Sequence, residues 1–192
     1  MAAVAEEMPI LSFNPTVVPA RGGVGAVVEY QANVIASVLA ERLRGTYKML
    51  HLPDGLSQDS LHMLMTCEPQ IKEIGDLISR TDVLLFGIGT AMRMADQRHI
   101  ADEVRKQLVD NHAVGEALGQ YCDMDGKLIY STNNIGLSLP DVAKVPNVIA
   151  VAGGQEKASA IIGVMRACQK GILIIDEQAA EGMRQLLQIS AL

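Results

Sequence analysis

The chain has 192 residues, of which 49% are hydrophobic and 20% are charged. This composition excludes disordered, collagen-like and coiled-coil proteins and favours one globular domain with a sizeable core. The formal net charge of −6 argues against a chain that grips nucleic acid by itself, because phosphate binding needs clustered lysine and arginine. No apolar run has the ~18 residues of a membrane span, and the N-terminus lacks the pattern of a secretory signal, so we expect a cytoplasmic protein.

Short apolar runs alternate with longer helical patterns, which predicts an α/β fold with a parallel sheet covered by helices. In the first half, strands are predicted at residues 16–19, 46–52 and 82–86. Helices are predicted at residues 27–44, 57–65 and 68–79, each bounded by glycine, proline or a capping residue.

The second half continues the alternation with one interruption. Helices are predicted at residues 91–98, 101–111, 155–168 and 177–188, with a helical turn from 140 and strands at 147–152 and 172–175. Between them, residues 115–137 predict a small antiparallel insertion, because Asp125-Gly126 is a typical hairpin turn between strand patterns.

The cysteines and histidines predict neither disulfides nor a metal site. Cys67, Cys122 and Cys168 are odd in number and widely spaced, which indicates buried thiols in a reducing compartment. The four histidines lack the spacing of zinc ligands, so we expect no metal and no cofactor.

Three predicted strands are followed by glycine-rich loops, at Gly22-Gly23, Gly87-Ile88-Gly89 and Gly153-Gly154. A basic residue lies near each loop: Arg21, then Arg93 and Arg98, then Lys157. In open parallel sheets ligands bind beyond the carboxyl ends of the strands, where loop N–H groups and basic side chains can hold a phosphate. The alternative is that each glycine only permits a tight turn and each charge lies on a solvated surface.

Two polar residues are further candidates for this pocket. Glu116 begins the inserted segment, where a carboxylate can accept hydrogen bonds from sugar hydroxyls, and Gln31 lies on the first long helix pattern after the first glycine loop. Glu116 is equally consistent with a surface position beside a turn, and a solvated helix face is the ordinary explanation for Gln31. The chain has no P-loop, no Gly-x-Gly-x-x-Gly opening a helix and no nucleophile elbow. The sequence motifs therefore do not point to a particular reaction.

The order of several segments resembles the effector-binding domains of the SorC family of bacterial transcriptional regulators. The resemblance covers nearly the whole chain and is specific as a set. Its segments are Val18-Pro19-Ala20-Arg21-Gly22-Gly23, Gln31-Ala32-Asn33, Gly45-Thr46-Tyr47, Leu52-Pro53-Asp54, Phe86-Gly87-Ile88-Gly89, Val148 to Gly154 with Lys157, and Ile175-Asp176-Glu177-Gln178-Ala179-Ala180.

The resemblance implies a Rossmann-like sheet with an antiparallel insertion, similar to sugar-phosphate isomerases and amino-sugar phosphate deaminases. It implies a phosphorylated sugar as ligand, fructose 1,6-bisphosphate for this subgroup, whose binding relieves repression of glycolytic genes. Arg21, Arg98 and the loop Gly87 to Gly89 would hold one phosphate, with Gln31 and Gly22-Gly23 nearby. Glu116 would hold sugar hydroxyls, and Lys157 with Gly153-Gly154 the other phosphate.

Regulators of this family carry an N-terminal helix-turn-helix domain, and the start Met1-Ala2-Ala3 looks like the helix after the first strand and its phosphate loop. We therefore expect operator DNA to be a partner only through a domain outside these 192 residues. A homodimer or homotetramer is expected, with no membrane partner.

An enzyme of the same fold is the rival interpretation. Such an isomerase or deaminase needs a general base at the sugar carbons, usually a carboxylate. The deaminases resemble one another in an Asp-Gly-His run after the glycine loop, where this chain has Thr90-Ala91-Met92, and the isomerase motif Asp-Gly-Ala-Asp is absent too. Binding without turnover is therefore the favoured expectation.

Overall fold

The computed structural model describes residues 1–21, 31–52 and 56–188. The chain divides into two compact units, each described by itself below. The first comprises Met1–Thr81 and Thr132–Leu137, and the second comprises Asp82–Ser131 and Ser138–Leu192.

The first unit is mostly helical. Its elements are α1 (Ala2–Glu7), β1 (Thr16–Val17), α2 (Ala32–Arg42), β2 (Thr46–Tyr47), α3 (Gln58–Cys67) and α4 (Pro69–Ser79). Strands β1 and β2 are parallel, with Thr16 opposite Thr46. Helix α2 begins at Ala32, because Gln31 has extended backbone, whereas the sequence predicted a start at residue 27, which lies outside the described residues.

Strand β2 ends at Tyr47, so the prediction of a strand to residue 52 was wrong at its end. The backbone of Leu50 is bound by a side chain instead of a neighbouring strand. The amide of buried Asn33 donates to the Leu50 carbonyl at 3.1 Å and accepts from the Leu50 N–H at 2.9 Å. Because a side chain satisfies both backbone groups, this segment needs no sheet partner.

The second unit holds two sheets and four helices in the described range, together with two short 3-10 helices, Pro140–Lys144 and Gln155–Lys157. Its strands are β3 (Val83–Gly87), β4 (Gly89–Thr90), β5 (Gly115–Ala117), β6 (Gln120–Cys122), β7 (Leu128–Ser131), β8 (Asn147–Ala152) and β9 (Ile172–Ile175). Its helices are α5 (Ala91–Gln97), α6 (Asp102–Asp110), α7 (Ala158–Cys168) and α8 (Glu177–Leu186).

Strands β3, β8 and β9 form the predicted parallel sheet, in that order. The predicted strands differ from the observed ones by a single residue at most, because each is an apolar run bounded by glycine or polar residues; β8 is the central strand, and β3 and β9 are at the edges. Helix α7 contributes the fully buried residues Ala160, Ile161 and Val164 to the core. The α/β fold class is confirmed.

Strands β4 to β7 form a four-stranded antiparallel sheet in chain order. The Asp-Gly turn of the hairpin is confirmed: Gly126 has φ +85°, and Asp123 Oδ1 accepts hydrogen bonds from the N–H groups of Asp125 and Lys127. Strands β5 to β7 lie within the predicted insertion, whereas β4 precedes it. Thr132–Leu137, its predicted end, belongs to the first unit.

Three further details differ from the sequence predictions. The helix predicted at residues 155–168 is interrupted, because a 3-10 turn ends at Lys157 before α7 begins. The last helix ends at Leu186 rather than residue 188. Cys122 and Cys168 are buried thiols as predicted, but Cys67 is exposed at the end of α3.

Within the described ranges, no helix is long and apolar enough to cross a membrane.

Candidate functional site

The segment after β3 passes directly into strand β4, with Ile88 between the two strands. It is not the glycine loop that the sequence predicted. Ile88 is 3% exposed, and its N–H donates to the carbonyl of Val151 at 3.2 Å. Gly89 and Thr90 then pair with β5, which places Gly89 opposite Glu116. The backbone N–H of Ile88 is therefore hydrogen-bonded within the protein. The chain passes from the parallel sheet into β4, which pairs with the strand that carries Glu116.

Glu116 is the buried carboxylate of the second unit, with a side chain 3% exposed. Its Oε1 accepts hydrogen bonds from Arg98 Nη2 at 3.0 Å and from the N–H of Gly119 at 2.7 Å. The tight turn after β5 makes the second bond possible, because Leu118 and Gly119 both have positive φ. Two donors on one oxygen hold the carboxylate in place.

The other oxygen of Glu116 faces Gly89. A Cβ on Gly89 would lie 3.9 Å from Oε2 and would clash with the Met94 side chain, which would have to move. No hydrogen bond from a described residue reaches Oε2. Since a carboxylate oxygen has two lone pairs, Oε2 can accept a hydrogen bond from a hydroxyl group.

Arg98 lies directly after α5, with its backbone N–H bonded to the carbonyl of Met94. Its guanidinium forms the ion pair with Glu116, while its Nε is buried and has no hydrogen-bond partner among the described residues. A buried donor without a partner is unfavourable unless a ligand or water satisfies it. Arg93, the sequence alternative on the same helix, is exposed.

Burial raises the pKa of Glu116 above its ordinary value of 4.5. The positive charge of Arg98 and the hydrogen bond from Gly119 act in the opposite direction, but desolvation is the larger effect. The ion pair with Arg98 therefore offsets part of the cost of burying the Glu116 carboxylate.

The Gly153-Gly154 loop follows β8 and leads to Lys157. Gly154 has φ +96°, a conformation that favours glycine, and its N–H donates to Asp176 Oδ2 at 2.9 Å. The sequence predicted that this N–H group would face a phosphate; the structure supplies an internal carboxylate instead. Lys157 is half-buried and forms no ion pair with a described residue.

The structure brings part of the predicted site together within the second unit. The 3-10 helix that carries Lys157 lies against β4, whose Gly89 is paired with Glu116. Arg98 reaches the same carboxylate. Gly89, Arg98 and Glu116 are therefore neighbours, and the Lys157 segment lies against the strand that carries Gly89.

The remaining predicted residues belong to the first unit or fall outside the described ranges. Arg21 is 8% exposed, bridges to Gly136 and donates to Thr132 Oγ1 at 3.4 Å. Gln31 is half-buried at the start of α2. Gly22 and Gly23 lie outside the described residues, and the part of all four in ligand binding stays a prediction.

Asp176 makes a contact with the glycine loop that the sequence analysis did not predict. An Asp between a predicted strand and a helix is a typical N-cap, but this pattern does not reveal its contact with a loop 22 residues away. No group of three or more His, Cys, Asp or Glu side chains in the described part of the chain is placed to hold a metal ion.

Comparisons with known proteins agree with this fold. A family model described as "Putative sugar-binding domain" matches residues 1–185. The Central glycolytic genes regulator of Bacillus subtilis is 40% identical over 181 residues, which are 93% of this chain and 53% of that protein. The regulator of the same name from Priestia megaterium is 40% identical over 94% of this chain and 53% of that protein.

A solved structure shows the same fold. The crystal structure titled as that of "the putative SorC family transcriptional regulator from Enterococcus faecalis" superposes with a TM-score of 0.87 at 39% identity, covering 95% of this chain and 75% of that one. The chain spans about half the length of the curated relatives it matches. The chain belongs to the sugar-binding domain family of SorC-type transcriptional regulators.

Proposed function

We propose that this chain is the ligand-sensing domain of a transcriptional repressor of glycolytic genes, and that its effector is a phosphorylated sugar, fructose 1,6-bisphosphate. Support for the regulatory role comes from its 40% identity to two proteins named Central glycolytic genes regulator. We propose that operator DNA is bound only through a helix-turn-helix domain outside these 192 residues, as the family resemblance implies.

The observation that carries the proposal is the pairing of Glu116 with Arg98. Burying charge is unfavourable in a core that has only a structural role. The ion pair beside Gly89 leaves Glu116 Oε2 and the Arg98 Nε–H without a hydrogen-bond partner among the described residues. A sugar presents hydroxyl donors next to phosphate acceptors. Such a ligand would satisfy Glu116 Oε2 through a hydroxyl and Arg98 Nε through an oxygen acceptor.

Lys157 supports a ligand with a second phosphate. Its ammonium group has no ion-pair partner among the described residues, and its segment lies against β4 beside Glu116. A lysine acts as a point charge for phosphate and needs no fixed fork geometry. We therefore propose that a bisphosphate binds more tightly than either monophosphate.

Regulation requires that the effector prefer one assembly state of the protein. If the ligand binds one self-associated form more tightly, it shifts the population toward that form and changes how linked DNA-binding domains hold an operator. A ligand with equal affinity for both forms changes nothing.

The test is a thermal-shift titration with fructose 1,6-bisphosphate, fructose 6-phosphate and inorganic phosphate. At about a hundredfold excess over the dissociation constant, binding adds about 2.7 kcal/mol, so the melting temperature should rise by roughly 5–11 °C. Arg98→Ala should abolish the rise, and Arg93→Ala, which removes an exposed arginine from the same helix, should keep it. Equal shifts in both variants, or none with any sugar phosphate, would contradict the proposal.

The enzyme alternative is tested with the same protein. We expect no product when it is incubated with fructose 6-phosphate, glucosamine 6-phosphate or ribose 5-phosphate. Turnover that disappears in Glu116→Gln would identify Glu116 as a general base and replace the sensor proposal with an isomerase or deaminase.

A further inference from the structure

Asp176 connects two loops that follow neighbouring strands. Strands β8 and β9 are adjacent, with Ala152 opposite Ile175, so the loop after β8 and the start of α8 leave the sheet side by side. Asp176 Oδ2 accepts from the N–H of Gly154 at 2.9 Å, and Oδ1 accepts from the N–H of Ala179 at 2.8 Å. One carboxylate thus caps α8 and holds the glycine loop.

We propose that Asp176 is a positioning residue for the ligand site, which holds the Gly153-Gly154 loop so that Lys157 is presented to a phosphate. This inference rests on the proposed function, because it assigns Asp176 a role in the same site. Asp176 itself acts through Lys157 and does not contact the ligand.

The glycines of this loop are shaped to receive the carboxylate. A Cβ on Gly153 would lie 2.6 Å from Asp176 Oδ2, so a larger residue at this position would displace the carboxylate. Gly154 has the positive φ that turns its N–H toward Asp176. The Asp176 carboxylate therefore accounts for both glycines. In this proposal the side chain of Lys157 contacts the phosphate.

The restraint passes from Gly154 to Lys157 through the backbone. The N–H of Lys157 donates to the Gly154 carbonyl at 3.1 Å, which closes the 3-10 turn. Helix α8 packs against the residues at both ends of that turn. A Cβ on Gly182 of α8 would lie 2.9 Å from Ala158 Cβ and 3.1 Å from Gln155 Cγ. Because Asp176 begins α8, its carboxylate fixes both the loop and the helix that flank Lys157.

The first test is a double-mutant cycle on binding of fructose 1,6-bisphosphate, measured by calorimetry. Asp176→Asn keeps an N-cap side chain but places an amide where Gly154 needs an acceptor, and we expect about tenfold weaker binding. Glu177→Gln is the matched control, since it makes the same carboxylate-to-amide change one residue later, on an exposed side chain without this contact. It should change affinity by less than about twofold.

The cycle is completed with Lys157→Ala. If Asp176 acts through Lys157, the double variant should bind no more weakly than Lys157→Ala alone, because the second change has nothing left to position. A purely structural role would lower the melting temperature without this non-additivity. Additive losses, tighter binding by Asp176→Asn, or an equal effect of Glu177→Gln would overturn the proposal.

A second measurement needs no ligand. Labelling of lysine amines with limiting acetic anhydride, read by mass spectrometry, should increase at Lys157 about twofold or more in Asp176→Asn relative to the exposed Lys127, and should not change in Glu177→Gln. An unchanged ratio in Asp176→Asn would overturn the positioning role. If the ratio changes but the unaltered chain binds no sugar phosphate, the proposed function fails while the positioning of Lys157 by Asp176 stands.

Discussion

Arg98→Ala leaves the buried carboxylate of Glu116 without its counter-charge. Removing one partner of a buried ion pair typically costs about 3–5 kcal/mol. Here the Arg98 side chain is 21% exposed and Glu116 keeps its bond from Gly119, so we expect a smaller loss of about 2–4 kcal/mol. For a chain of this size the melting temperature should fall by about 4–16 °C.

The assay is thermal and urea unfolding followed by circular dichroism, since the chain has no tryptophan. Arg93→Ala is the control: it removes a positive charge from the same helix at an exposed position and should cost less than about 0.5 kcal/mol. The double variant Arg98→Ala/Glu116→Gln should recover part of the loss, because no buried charge remains.

The pH dependence gives an independent check. A group whose pKa is higher in the folded than in the unfolded state contributes stability that is present below its unfolded pKa and is lost as the pH rises through its folded pKa. Loss of Arg98 raises the pKa of Glu116 further. The cost of Arg98→Ala should therefore be largest at alkaline pH and smallest near the ordinary Glu pKa of 4.5. A cost below about 1 kcal/mol, independent of pH, would refute this account of the pair.

Three further outcomes are expected. Asn33→Ala removes two buried hydrogen bonds, at 3.1 and 2.9 Å, and should lower the free energy of unfolding by about 2–4 kcal/mol in urea titration, whereas Asn33→Asp, which keeps only the acceptor, should recover less than half. Gly154→Ala forces a side chain into φ +96° and should cost about 1–3 kcal/mol by the same measurement and weaken binding of fructose 1,6-bisphosphate. Burial raises the pKa of Cys122 to about 12 and of Cys168 to about 11, so a chromogenic thiol reagent should modify only Cys67 until the protein is unfolded; fast reaction of all three would contradict their burial.

Much of the second unit could be predicted from the sequence. The strands at 83–87, 147–152 and 172–175 are apolar runs bounded by glycine or polar residues, a pattern typical of a parallel sheet. The central strand β8 is buried at alternate positions, whereas Ile172 and Ile174 of the edge strand β9 are exposed. The hairpin turn at Asp125-Gly126 was equally local, because its backbone requires positive φ at glycine. The family resemblance rested on the same kind of local segments.

Only the tertiary structure decided how the site is assembled. Gly89 and Thr90 are too short a segment to show strand periodicity, and they become a strand because β5 provides a partner. Arg98 and Glu116 are 18 residues apart, and each alone is consistent with an ordinary surface charge. Because Glu116 is buried in the folded chain, its carboxylate needs the counter-charge that Arg98 supplies. Their meeting depends on sheet register and helix packing, which composition and spacing do not encode.

The glycine loop after β8 shows the same division. The sequence determined that Gly153 and Gly154 form a turn with unusual backbone freedom, and it placed Lys157 beside them. Whether those N–H groups face a ligand or another part of the chain was decided by the neighbouring strand β9, which delivers the Asp176 carboxylate to Gly154. Contacts between residues distant in sequence arise from packing, because only the folded chain brings their donors and acceptors within hydrogen-bond distance.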